Sequence, residues 1–242
     1  MAGQLFVGTS GFAYDAWKHG VFYPERIRND QMLEHYSSVL SSVEIIYTFR
    51  HFPAESTMAA WRQQARPGFR MALRAPMRIT HTRRLAGVGG DVARFVERAA
   101  ILADNLGPVL FQTPPELEYD EQLLAGFADV LPPGLATVME FRNDSWAAAA
   151  GLLEQRGVAV CLADTDDGPA APPIPPGPFA YLRLRRTEYS DGDLAAWAER
   201  VSAVLRDGRD VYCYFRHEDT ATGPRWAVRL RQLVDERNVA VR

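Results

Sequence analysis

Short apolar runs alternate along the chain with longer segments in which apolar residues recur every three or four positions. The runs Leu5–Gly8, Ser42–Ile46, Arg70–Arg74, Val109–Gln112, Thr137–Phe141, Val158–Ala163, Tyr181–Leu184 and Val211–Phe215 predict strands. The segments Met32–Leu40, Ser56–Ala65, Val92–Leu106, Gln122–Leu131, Ala147–Arg156, Leu194–Leu205 and Trp226–Val234 predict helices. Glycines and prolines fall between the elements, as at Pro67-Gly68, Gly107-Pro108 and Pro132-Pro133-Gly134. Strand–helix alternation implies parallel strands joined by right-handed crossovers. Eight strands in this order suit a TIM-type (β/α)8 barrel, with residues 1–242 forming one domain. An open doubly wound sheet fits less well, because no GxGxxG or P-loop follows the first strand. The sixth crossover departs from the pattern. Gly168–Pro178 holds six prolines where a helix is expected. Proline lacks a backbone donor and fixes φ, so this stretch is expected to cross as an extended strap.

Composition adds little to this picture. The 242 residues are 47% apolar and 24% charged, enough to bury a core without disulfides or metal. A formal net charge of −3 gives no global attraction to nucleic acid or anionic membrane. Cys161 and Cys213 each lie inside an apolar run, which predicts two buried thiols rather than a disulfide or a zinc site. Met1–Ser10 lacks the pattern of a signal peptide, and no apolar run reaches the roughly 20 residues of a membrane span. A cytoplasmic protein with no membrane partner is expected.

The chemistry concentrates at the C-terminal ends of the predicted strands, where barrels of this kind carry their sites. Those ends read Thr9 and Ser10, Glu44, Arg74, Gln112, Glu140 and Arg142, Asp164, Arg183 and Arg185, then Tyr214 and Arg216. Residues two apart share a strand face. Val138, Leu182, Leu184, Cys213 and Phe215 are expected to cover the helix side, which turns the charged set of the last two strands into the lumen. Five arginines (Arg74, Arg142, Arg183, Arg185 and Arg216) face three acids (Glu44, Glu140 and Asp164). Guanidiniums half-removed from water need planar acceptors, and phosphate or carboxylate fits their fork. Arg–Glu pairs that merely plug the strand ends are the alternative.

Glu44, followed by Ile45 and Ile46, is expected to carry a raised pKa unless it is ion-paired. His81 lies just after the third strand, where it serves either as a cap or as a general acid/base. Glu44, Glu140, Asp164 and His217 compose a metal site only on paper, since the arginines compete for the same carboxylates, and no metal or other cofactor is expected. Gly8-Thr9-Ser10-Gly11 is not a nucleophile elbow. The aromatics Phe12, Tyr14, Trp17, Phe22 and Tyr23 crowd the first strand–helix loop, as a small core of its own or as a lid.

The chain resembles the YecE-like family, domain of unknown function 72, over nearly its whole length. The resemblance rests on Gly8-Thr9-Ser10-Gly11 with Tyr14 and Trp17, Val43-Glu44-Ile45 with Thr48-Phe49, and Ala75-Pro76 with Ile79-Thr80-His81. Gly107-Pro108-Val109-Leu110-Phe111-Gln112, Glu140-Phe141-Arg142 with Ser145-Trp146, Ala163-Asp164 and Tyr181-Leu182-Arg183-Leu184 continue it. It implies a TIM-type barrel and no established activity. Departures cluster near the strand ends: Ile46-Tyr47, Arg74 in place of the usual lysine, Arg185-Arg186 in place of His-Gly, and Arg216-His217-Glu218-Asp219.

Together these features lead to an enzyme acting on an anionic, phosphorylated or phosphodiester substrate by metal-independent hydrolysis or isomerisation. Glu44, His81 and Asp164 are the candidate acid/base groups. Thr9, Arg74, Gln112, Glu140, Arg142, Arg183, Arg185, Tyr214 and Arg216 are the candidate ligand contacts. A non-catalytic sensor of a nucleotide or other phosphate ligand is the alternative, and single-stranded nucleic-acid binding a third.

Overall fold

The computed structural model describes residues 2–169, 172–218 and 220–240, the last three of these by backbone alone. Eight parallel strands form one sheet in the order β1-β8-β7-β6-β5-β4-β3-β2. They are β1 (Leu5–Thr9), β2 (Ser42–Ile45), β3 (Arg70–Arg74), β4 (Leu106–Gln112), β5 (Thr137–Glu140), β6 (Ala159–Asp164), β7 (Ala180–Leu184) and β8 (Val211–Phe215). The β1–β2 seam nearly closes the barrel through a Ser10–Glu44 bridge and the Gly11 N–H on the Glu44 carbonyl at 2.8 Å. Gly8 permits that approach, because a Cβ there would overlap the Ser42 carbonyl oxygen.

Seven α-helices follow the strands among the described residues: α1 (Met32–Val39), α2 (Glu55–Gln64), α3 (Gly89–Ala99), α4 (Glu121–Asp129), α5 (Ala150–Gln155), α6 (Asp191–Arg206) and α7 (Thr222–Ala240). Their apolar stripes pack on the outward face of the sheet; Val92, Phe95 and Ala99 of α3 are all buried. The crossover after β6 has no helix over its described residues, as its prolines require; positions 170 and 171 lie outside the described residues, as does Asp219. No described helix is long and apolar enough to cross a membrane.

The barrel has two apolar faces of different character. Leu182, Leu184, Cys213 and Phe215 pack outward against the helices. Phe6, Ala72, Leu110, Val138, Ala159, Cys161, Tyr181, Tyr212 and Tyr214 fill the lumen. Val138 therefore corrects the parity expected from sequence: it shares a face with Glu140 and Arg142, and it packs in the lumen beneath them. Both cysteines are free and buried. In the first loop, Trp17 and Tyr23 are buried and Phe22 meets both edge-on, so the aromatics form a small core.

Candidate functional site

Strand parity builds the site. Above the lumen's apolar filling, the next inward position on β2, β3, β4, β5 and β7 is Glu44, Arg74, Gln112, Glu140 and Arg183 respectively. All sit at or near the C-terminal strand ends. Arg183 is the hub. Its Nη1 donates to Glu140 at 2.6 Å and its Nη2 to Glu44 at 3.0 Å, and all three side chains are almost wholly removed from water.

Glu44 also accepts from the Ser10 hydroxyl at 2.6 Å and the Tyr181 hydroxyl at 2.9 Å. Burial alone would raise its carboxyl. The guanidiniums of Arg183 and Arg185, with the two hydroxyls, outweigh that and hold it below the usual range. Glu140 is held low in the same way by Arg183 and Arg142 against its burial. Both carboxylates are therefore ionised ion-pair partners, the paired outcome for Glu44. Arg142 reaches Glu140 at 2.8 Å with its own side chain 49% exposed, so it stands at the rim. Arg185 donates to Ser10 Oγ at 2.8 Å, and Arg216 touches the Arg185 carbonyl at 3.4 Å.

Arg74 lies on the opposite side of the mouth. It donates to Gln112 Oε1, and its guanidinium sits 3.6 Å from the centre of the Phe49 ring. Burial, with the positive charge of Arg183, pulls its pKa down to about 10. His81 sits on a single π-helical turn, Arg78–Thr82, edge-on to Phe49 at 5.0 Å. Its Nδ1 is hydrogen-bonded with Thr80 Oγ1 at 2.8 Å, and burial followed by the Arg74 charge lowers its pKa.

Two predicted site residues lie elsewhere. Thr9 has outward parity and bonds to the Tyr36 hydroxyl and the Gly11 carbonyl. Asp164 is also turned outward, onto Arg186 Nε at 2.9 Å, the Tyr189 hydroxyl at 2.9 Å and Trp197 Nε1 at 3.2 Å. It ties β6 to α6 and is fully engaged there. Tyr214 is in the lumen but one layer down, bonded to Ser42 Oγ at 2.7 Å beneath the ion pairs. The three acids and the histidine of the paper metal site are dispersed: Arg183 separates Glu44 from Glu140, Asp164 faces α6, and His217 stacks on Tyr14 at 4.3 Å. Ser10, read from sequence at a strand end but given no role, and Tyr181, not singled out there, both belong to the cluster. Tyr181 lies two residues before Arg183 and shares its parity, the one sequence signal that places it there.

The mouth thus has two buried carboxylates against Arg74, Arg142, Arg183, Arg185 and Arg216, with Asp166 near Arg216 at the rim, so positive charge exceeds negative. It also has unmet donors. Five buried side-chain polar atoms lack a hydrogen-bond partner among the described residues, and three are Arg74 Nε, Gln112 Nε2 and Arg183 Nε. Buried donors are nearly always satisfied in folded proteins, by protein groups or by ordered water, so three such donors in one mouth offer hydrogen bonds to water or to a bound acceptor.

Several solved structures share the fold. A DUF72 family protein from Thermotoga maritima superposes with a TM-score of 0.84 at 23% identity, covering 96% of this chain and 99% of its own. One from Enterococcus faecalis gives 0.78 at 15% identity, covering 96% of each chain. A methyltransferase from Methanosarcina mazei gives 0.51 at 10% identity, over 98% of this chain and 94% of that one. At these identities the likeness is one of fold. No curated protein matches the chain. The profile described as "Protein of unknown function DUF72" matches residues 6–242, and the chain belongs to that family.

Proposed function

We propose that the barrel mouth binds a small anionic, phosphate-bearing ligand and acts on it as a metal-independent enzyme. The observation that carries this reading is the trio of orphaned donors under a surplus of positive charge. An oxyanion takes several N–H donors at once, and a guanidinium fork matches it better than any neutral acceptor. Arg74, Gln112 and Arg183 supply the donors; Arg142, Arg185 and Arg216 stand around them as the clamp. With Glu44 and Glu140 ionised and ion-paired, His81 is the residue suited to proton transfer. Its lowered pKa keeps it neutral at pH 7, and with Nδ1 committed to Thr80, Nε2 is the nitrogen left for the proton.

The test is thermal unfolding with inorganic phosphate and sugar phosphates, followed by turnover assays on whichever compounds bind. A ligand at a hundred times its dissociation constant adds about 2.7 kcal/mol. That gain should vanish in Gln112→Glu, which replaces a donor by a repelling carboxylate, and fall in Arg142→Ala. No stabilisation of the wild-type protein by any phosphate compound would remove the proposal. Binding without turnover is a second reading, favoured by the ion pairs that immobilise Glu44. It is distinguished by His81→Asn: an enzyme loses conversion and keeps binding, whereas a sensor shows no conversion to lose.

A further inference from the structure

Beside the mouth, on the far side of Phe49, lies a cavity of about 430 Å³. The loops after β2 and β3, with the first turns of α3, form it at the same end of the barrel, and Phe49, Phe52 and Met77 are among its apolar lining residues. Phe52 is 52% exposed and Met77 42%, although large apolar side chains elsewhere in the fold are mostly buried. Exposed apolar surface gathered in one concavity marks a binding site more often than scattered apolar residues do. The charge is again positive: Arg78 and Arg94 share the single acid Asp91, at 3.0 and 2.6 Å.

Phe49 is common to the mouth and the cavity. The Arg74 guanidinium, whose Nε is one of the orphaned donors, lies 3.6 Å from the Phe49 ring, and Phe49 also lines the cavity. A ligand with its phosphate on Arg74 therefore places whatever the phosphate carries next to aromatic and thioether surface. A bare sugar phosphate would leave that surface uncovered, whereas a flat heterocycle would stack on it.

We propose that the ligand is a nucleotide, its phosphate held by Arg74, Gln112 and Arg183 and its base seated in the cavity between Phe49, Phe52 and Met77. This rests on the reading of the mouth as a phosphate site and adds the substrate class to it. The test is calorimetric titration of the full chain with the four nucleoside 5′-monophosphates, ribose 5-phosphate and inorganic phosphate. At least one nucleotide should bind ten times more tightly than ribose 5-phosphate, and Phe52→Ala should remove about tenfold of that advantage, the scale of one base–aromatic stack. Phe52 is half exposed, so the variant is expected to fold; Phe52→Tyr, which keeps the ring, should retain the preference. Equal binding of nucleotides and ribose 5-phosphate, unchanged in Phe52→Ala, overturns the nucleotide assignment and leaves the phosphate site standing. Failure of every phosphate compound to bind overturns both.

Discussion

Arg183 holds the mouth together, and the physics of buried charge says what its removal does. Two ionised carboxylates, Glu44 and Glu140, lie in the same dry space and are kept there by one guanidinium that bonds to both. Coulomb attraction inside a protein offsets desolvation only while the geometry is complete. In Arg183→Met the two carboxylates face each other without a cation between them. We expect that variant to lose about 3–5 kcal/mol in urea unfolding, the usual cost of orphaning a buried charge. A loss below 1 kcal/mol would mean that Arg185 and Arg142 already carry the neutralisation. The same reasoning separates Glu44 from a general acid, since a group so paired is a fixed charge and not a proton reservoir. It also separates Asp164 from the mouth. Arg186, which stands where the family usually has glycine, neutralises that aspartate on the helix side.

At the scale of elements, β7 and the helix after it organise the site side of the barrel. Along β7 and just beyond it, Tyr181, Arg183 and Arg185 turn inward at a spacing of two, while Leu182 and Leu184 turn outward onto the helices. The next element, α6, begins with a reciprocal cap: Ser190 Oγ takes the Asp193 N–H at 3.1 Å, and Asp193 takes the Ser190 N–H at 2.9 Å. Trp197 of the same helix then reaches Asp164 on β6. Ser190→Ala should cost about 1 kcal/mol of global stability, measured by chemical denaturation. Any larger effect would show that the cap also positions the Asp164–Trp197 bond. Over its described residues the Pro-rich crossover before β7 holds no helix, unlike its neighbours, because prolines can supply neither the donors nor the φ freedom of a helix interior.

For the molecule as a whole, these carboxylates are expected to set the acid limit of the fold. Glu44 and Glu140 have folded-state pKa values below the ordinary 4.5, so at neutral pH the native state gains from their ionised form. That gain is fully present above the unfolded-state value. It begins to fade as pH falls through 4.5 and is lost as pH passes down through the depressed folded values. Stability should therefore decline slightly as pH falls through 6.5, where His81 takes up its proton more readily in the unfolded chain, and fall steeply below pH 4.5, with proton uptake on unfolding. In Glu44→Gln the acid limb should be shallower, because one of the two linked protons is gone. An unchanged limb in that variant would place the acid sensitivity elsewhere, for instance in Asp91 or Glu218, which are also held low.

What the sequence determined by itself is what depends on period and local chemistry. Alternation of period two and period 3.6 set eight strands and their crossovers, and prolines marked the one crossover without a helix. Polar strand ends at spacing two placed Arg183 and Arg185 in the lumen, because side-chain direction in a strand is fixed by the pleat. The same rule read with the wrong parity sent Val138 outward, and no local feature of Val138 could correct it. Tertiary structure alone decided the rest. Whether Asp164 meets a ligand or a helix depends on Arg186, Tyr189 and Trp197 arriving from later in the chain. Whether Glu44 is a proton donor or a fixed counter-ion depends on Arg183, 139 residues away. The Phe49 cavity exists only because two loops and the start of α3 converge over the barrel end. Pairings across such separations are chosen by the packing of the whole barrel, and a one-dimensional pattern carries no record of that choice.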